Sequence, residues 1–324
     1  MNKVLSLFFI AVFFNSISVE AQISKSTLDK KIIIPEDVFI GEIRHLDIYE
    51  NKILITDIML GQVILFDGDN WQILDPEACH PGFKFMPIQA QFGNDGEIFI
   101  TNSGVWGFRF ESDGQCIGAV KEKTIQPEKF SFTDRIYGIR SLKVKKEIVS
   151  WNKDGNDEKV EFSIKPTLPN AEYRFEGGGI IEVDDNIYVI TALDPMIYKY
   201  NRRKGVVKST EFKSQYFSQI KNDITDDIED PKFFKEIGTV IKTNSVILNL
   251  FRLNSDTGVV VFSQNQHQER RYYGVTFNLS DLSIVNTLTF DVEPKLIKNE
   301  TMIFIERTSE GYENETIELI FKTL

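Results

Sequence analysis

A chain with three histidines and two cysteines has few ways to do chemistry with either. His45, His80 and His267 are far apart, and no HExxH, Cys/His cluster, Gly-x-Ser-x-Gly or phosphate loop surrounds them. Oxygen donors are better represented. Asp57, Asn102, Asp194 and Glu306 each follow a short apolar run. Carboxylates and amides from separate segments can converge on a hard divalent cation, which a hydrolase or lyase acting on a sugar or lactone would use to polarise oxygen. The sequence requires no cofactor, and a divalent metal is the one it could hold. A second group suits binding. Arg44 and Arg140 follow matching isoleucines, with Gln89 between them. Two guanidinium forks at one opening fit a carboxylate or sulfate. Trp106 and Trp151 could stack on a sugar, and His45, His267 and Arg307 complete the candidate set. None of these residues is assigned a catalytic role.

The elements that must position them repeat. Residues 51–69, "NKILITDIMLGQVILFDGD", have two apolar runs and close on an Asp-Gly turn. Residues 96–114 and 187–205 follow the same plan. Spacings of about 45 residues, or twice that, suit four-stranded propeller blades. Each copy has a preceding strand (43–50, 87–93, 179–185) and a following one (71–74, 116–120, 205–212). Weaker units cover 137–165, 245–290 and 295–324, the last one strand short. Residues 30–40 are otherwise unassigned and supply the missing strand, removing the edges an open ring would expose. The expectation is an all-β, six-bladed β-propeller of antiparallel four-stranded blades over residues 22–324, closed by an N-terminal strand.

With "I-x-hydrophobic-T-D/N" at the second strand, six drifted blades and N-terminal closure, the chain resembles the NHL-like six-bladed propeller proteins exported by Bacteroidota. The resemblance implies the fold more than an activity. In such a ring the loop after the second strand and the connection entering the first strand share one face. The sequence therefore predicts a ligand site at that mouth of the channel. Small molecules, glycans or a protein are the candidate partners. The implied function is an exported binding or scaffold module, and the alternative is the metal-dependent hydrolase or lyase.

Lys3 followed by the apolar run Val4–Phe14 and by Val19-Glu20-Ala21 reads as a signal peptide cut after Ala21, for a periplasmic or secreted product. No later run is long and apolar enough for membrane insertion. A net charge of −11 disfavours nucleic acid. Residues 213–236 break the strand period. Tyr216, Phe217, Ile220 and Ile224 have helical spacing, and Asp230-Pro231 can start a second short helix. The segment reads as a solvated acidic helical insertion, or a lid over the channel. Its acids lack the spacing of a calcium loop. Cys79 and Cys116 are expected at opposite faces, about one strand length apart and too far for a disulfide.

Overall fold

The computed structural model describes residues 20–23, 30–82, 85–103, 106–121, 129–175, 177–266, 269–309 and 315–324. Six antiparallel sheets form the ring. Blade 1 runs Ile43–Tyr49, Lys52–Asp57, Gln62–Phe66 and Trp71–Ile73 from the channel outward. Blade 2 runs Pro87–Phe92, Ile98–Asn102, Trp106–Phe110 and Cys116–Lys121. Blade 3 runs Lys129–Phe132, Ile136–Leu142, Lys145–Trp151 and Lys159–Ile164. Blade 4 runs Gly179–Val183, Asn186–Ile190, Met196–Asn201 and Val206–Glu211. Blade 5 runs Ser245–Arg252, Thr257–Gln266, Glu269–Asn278 and Ile284–Phe290. Blade 6 takes Leu296–Lys298, Thr301–Ser309 and Glu315–Thr323, and Lys30–Ile33 is its outer strand. Glu20–Ile23, which spans the expected cleavage point, pairs in parallel with Ile284–Phe290 as a fifth strand of blade 5.

The second strands are apolar on both faces because each sheet is sandwiched between two neighbours. Successive residues there serve different cores. Ile53 and Ile55 pack with Ile303 and Leu319 of blade 6. Leu54, between them, packs with Phe92, Ile100 and Phe108 of blade 2. Full burial of each such side chain stabilises the fold by roughly 1.5–3 kcal/mol. Outer strands have one neighbour fewer, and Val206–Glu211 is largely exposed. The ring closes where Lys30–Ile33 pairs with Glu318–Phe321, an ion pair joins Lys31 and Glu318, and the Ile34 N–H donates to the Ile317 carbonyl at 3.0 Å.

Three expectations need correction. First, blade 3 begins one strand earlier than the sequence suggested, at Lys129. Its first turn is only Thr133 to Arg135, and its second is Lys143-Val144. Two tight hairpins in succession made the second strand pass for the first. Arg140 is therefore on a second strand and has no positional kinship with Arg44.

Second, residues 213–231 contain no helix. Ile220 and Ile224 are buried with Phe233 and Val240, and Tyr216 and Phe217 pack on the core between blades 4 and 5. Their spacing reflects anchoring of an irregular chain. The expected second helix exists, begins after Pro231 and continues further than expected, over Lys232–Thr243 (α2). A short helix, Pro169–Arg174 (α1), also precedes blade 4. The insertion's acids mostly tie down backbone. Asp223 accepts from Asn170 and Ala171, Asp227 from Glu229 and Asp230 from Lys232, while Asp226 pairs with Lys143.

Third, Cys79 and Cys116 are disulfide-bonded, with Cα atoms 5.5 Å apart. The outer strand of blade 1 is only three residues long. It lies against the third-to-outer turn of blade 2, where Gln72 donates to the Asp113 carbonyl at 2.6 Å. A single 3₁₀ turn, Pro76–Ala78, capped by Asp75, then sets Cys79 beside the start of the next blade's outer strand. Neighbouring blades are offset, so the two cysteines are never a strand length apart.

Candidate functional site

Each inner strand pairs on one edge only, and its other edge faces the ring axis. Side chains satisfy part of that edge by bridging blades. Gln89 of blade 2 bonds both polar backbone groups of Phe130 in blade 3 (3.2 and 3.4 Å), and Gln91 accepts from the Phe132 N–H at 3.0 Å. Asp47 of blade 1 accepts from Phe92 N–H of blade 2 at 2.8 Å and from Lys298 Nζ of blade 6 at 2.8 Å. Glu182 of blade 4 accepts from the Thr133 hydroxyl of blade 3.

The inner strands of all six blades enclose a cavity of about 270 Å³, at the small end for ligand sites. It occupies the half of the channel nearer the turns between inner and second strands, and reaches solvent beside the exposed Asn94, Arg252 and Asn299. That face, the turn face, is opposite the one favoured by the sequence. On the other, α2 and the irregular insertion lie over the loops, with Lys143 of blade 3 bound to Asp226 and the Asn265 amide of blade 5 bound to the Ile241 carbonyl.

Three cavity residues arrive by one device. The inner strands of blades 1, 2 and 5 each carry a one-residue irregularity, between Ile43 and His45, Pro87 and Gln89, and Ile247 and Asn249. A bulge re-aims the side chain that follows it. His45, Gln89 and Asn249 are those side chains, and all three line the cavity. Arg44 is the extra residue of the first bulge and is exposed. His45 Nε2 is 3.3 Å from the Gln89 amide nitrogen, which takes the role of donor, so the proton of the neutral ring sits on Nδ1. That buried Nδ1 has no hydrogen-bond partner. Burial lowers the His45 pKa to about 4; Asp47 opposes the shift, and Lys129 and Lys298 add to it. The ring is neutral at pH 7. Burial also raises the Glu182 carboxyl, which pairs with Arg202 at 2.7 Å.

Of the sequence candidates, His45 and Gln89 meet in this cavity and the other described ones stand elsewhere. Asp57 is fully buried, and its carboxylate accepts from the N–H groups of Gly41, Glu42, Met59 and Leu60 at 2.7–3.2 Å. Asn102 does the same for blade 2, accepting from Met86 N–H at 2.5 Å. The recurring T-D/N pair is thus a clamp that holds the incoming connection against the second strand. In blade 4 a buried carboxylate from the short helix, Glu172, does this work, bonding Thr191, Ala192, Leu193 and Asp194. Burial, with Glu172 and Glu211 nearby, raises Asp194 to about 6. Arg140 is buried between Glu147 and Glu158 at 2.6 and 2.8 Å. Trp151 ends a third strand, is buried, and donates to Glu158 at 3.2 Å. Arg307 is exposed and donates to the Gly41 carbonyl. Trp106 opens a strand and its side chain lies outside the described residues, as does His267. Sequence reasoning missed Lys129, Ser131, Asn249, Arg252 and Lys298. The regular spacing of Lys129, Ser131 and Thr133 was the available signal, but their strand was unrecognised.

No protein-family model matches the chain, and no curated protein matches it in sequence. A solved structure shares its fold. The crystal structure of a "Putative exported protein" from Bacteroides fragilis aligns over 94% of this chain and 99% of its own, with a TM-score of 0.59 and 10% identity. The Pan2 WD40 domain of Neurospora crassa aligns over 87% and 89%, with a TM-score of 0.47 and 11% identity.

Proposed function

We propose that this chain is an exported binding or scaffold propeller of the NHL-like type, with its ligand seated in the turn-face half of the central channel. The observation that carries the proposal is the cavity itself. Six strands converge on it, and three bulges deliver His45, Gln89 and Asn249 to it. A rigid wall lined by a few fixed polar groups is what binding needs. Export is supported by the character of residues 1–21 and by the likeness in fold to the exported protein of Bacteroides fragilis. Among the described residues no helix is long and apolar enough to cross a membrane.

The metal-dependent alternative has less support. Asp57 and Asn102 spend their oxygens on backbone N–H groups, and Asp47 and Glu182 are already paired. Among the described residues no three acidic, histidine or cysteine side chains are placed to hold an ion.

The test is thermal unfolding of residues 22–324 against a panel of sugars, amino acids, peptides and divalent salts. A ligand bound only by the folded state raises the melting temperature by mass action. The expected result is a stabilising compound whose effect disappears in Asn249→Trp, which fills the cavity. Stabilisation retained in that variant places the ligand elsewhere and overturns the proposal.

A further inference from the structure

The outer strand of a propeller blade leaves one edge of backbone N–H and C=O groups free to pair with another chain. Five of the six outer strands are guarded against this. Trp71–Ile73 is three residues long, and Cys116–Lys121, Lys159–Ile164, Val206–Glu211 and Lys30–Ile33 each carry lysine. Short length and lysine are the usual defences of an edge. The outer strand of blade 5, Ile284–Phe290, has neither. Its seven residues, IVNTLTF, include no charge, proline or glycine, and four of them are β-branched. That composition favours pairing. The register shift opposite Thr276 and Phe277 disturbs only its first residues, and the ladder is regular from Asn286 to Phe290.

This is also the edge that holds a further strand. Glu20–Ile23 pairs with Thr287–Phe290 in parallel, residue for residue. Among the described residues no other outer edge is covered by a fifth strand. The unguarded composition and the extra strand are separate observations, and they coincide. The expected cut after Ala21 falls in the middle of the pairing. It removes the partners of Thr287 and Leu288 and leaves Gln22 and Ile23 as a two-residue chain end opposite Thr289 and Phe290. Chain ends of that length fray. Processing therefore uncovers backbone groups that the precursor pairs. A second copy offering the same edge is a poor fit. Twofold-related copies join identical edges in antiparallel fashion, whereas the strand seated here runs parallel.

We propose that the outer edge of blade 5 is a strand-acceptor site. Residues 20–23 cover it in the precursor, cleavage after Ala21 opens it, and an extended segment of a partner protein fills it in the mature chain, running parallel to Ile284–Phe290. In strand addition main-chain hydrogen bonds supply affinity and neighbouring side chains supply selectivity. Ile284 and Val285 are exposed at the start of the edge. The segment they suit has apolar residues at its N-terminal end. This rests on the export reading, and on processing after Ala21 in particular.

The experiment is fluorescence anisotropy with a labelled, acetylated and amidated peptide of residues 16–24, Ser-Ile-Ser-Val-Glu-Ala-Gln-Ile-Ser. It is titrated with chain 22–324 and with chain 16–324, which carries the same segment in cis. The shorter chain is expected to bind the peptide, and the longer one at least tenfold more weakly. A second peptide carries Glu20→Pro and Ala21→Pro. Of two successive residues one turns its N–H to the host strand, so this peptide loses a ladder donor and is expected to bind at least tenfold more weakly. On the host, Val285→Lys with Thr287→Lys installs the guard that other edges carry and is expected to weaken the peptide several-fold with the melting temperature retained. Unchanged binding by that variant places the peptide elsewhere and overturns the proposal. Equal binding of the two chains or of the two peptides also overturns it, as does a peptide that fails to bind 22–324. Sedimentation of 22–324 is expected to show a monomer; a dimer dispersed by the peptide assigns the edge to a second copy and overturns the partner. Intact mass of the protein recovered after export is expected to place Gln22 first. A chain that retains residues 20 and 21 keeps its edge covered and overturns the proposal at its premise. The channel is tested separately, by Asn249→Trp.

Discussion

Replacement of both cysteines by serine isolates the contribution of the Cys79–Cys116 crosslink. The bond joins residues 37 apart. Constraining a loop of that length in the unfolded chain gives about 4 kcal/mol at 25 °C by the loop-entropy relation. Spread over the unfolding entropy of a chain of about 300 residues, that corresponds to a fall in melting temperature of about 6 °C. Calorimetry of wild type, Cys79→Ser, Cys116→Ser and the double variant is the assay. One bond is lost in all three variants, so all three should fall by a similar amount, and dithiothreitol should bring wild type down to meet them. Two single losses that sum to the double loss would refute the crosslink. So would a wild type indifferent to reductant.

Other expectations follow from the clamps, the buried histidine and the seam. Asp57→Ala strands four backbone N–H groups and should cost roughly 3 kcal/mol or more, while leaving channel-ligand affinity unchanged; an affinity loss in a folded variant would return Asp57 to the site. His45 has a folded pKa of about 4, below its ordinary value of 6.5. Its contribution to stability is therefore present above pH 6.5 and is lost, by up to about 3 kcal/mol, as pH falls towards 4. Asp194, raised to about 6, acts with the opposite sign and loses stability as pH rises from its ordinary 3.8 through 6. His45→Gln should accordingly leave stability rising as pH falls from 6 to 4, and Asp194→Asn should leave it falling, both read from urea midpoints. Ile34→Ala, in the buried segment that follows the closing strand, should cost about 2–5 kcal/mol and speed proteolysis; an unchanged midpoint would show that the seam contributes little.

The architecture was legible where each residue obeys one local rule. Second strands such as Ile53-Leu54-Ile55 and Ile98-Phe99-Ile100 must be buried on both faces, and turns such as Asp67-Gly68 mark the ends of the third strands that follow them. The donor strand at Lys30–Ile33 followed from counting edges. The site was harder to read. Asp57 and Asn102 have the chemistry of ligands, yet their oxygens face backbone from a connection that sequence cannot place. Arg140 looked like a recognition residue because Glu147 and Glu158, which neutralise it, come from the neighbouring strand and the turn that follows it in the same blade. Bulges move a side chain without altering composition, so nothing local separates exposed Arg44 from buried His45. The cysteines failed for a related reason: the offset between neighbouring blades is a property of the assembled ring.

Closure by residues 30–33 also sets an order of events in folding. Lys31 and Glu318 meet across almost 290 positions of sequence, whereas most strand pairs in the ring are consecutive hairpins. Local hairpins form early, and distant pairings wait on loop closure. Blades 1 to 5 can therefore stack as they are made, with the edge of Glu315–Thr323 unpaired until the early strand returns to it. That late seam is where a chaperone would act, where a nascent ring could exchange strands with a neighbour, and where a stalled molecule would show its incompleteness to a protease.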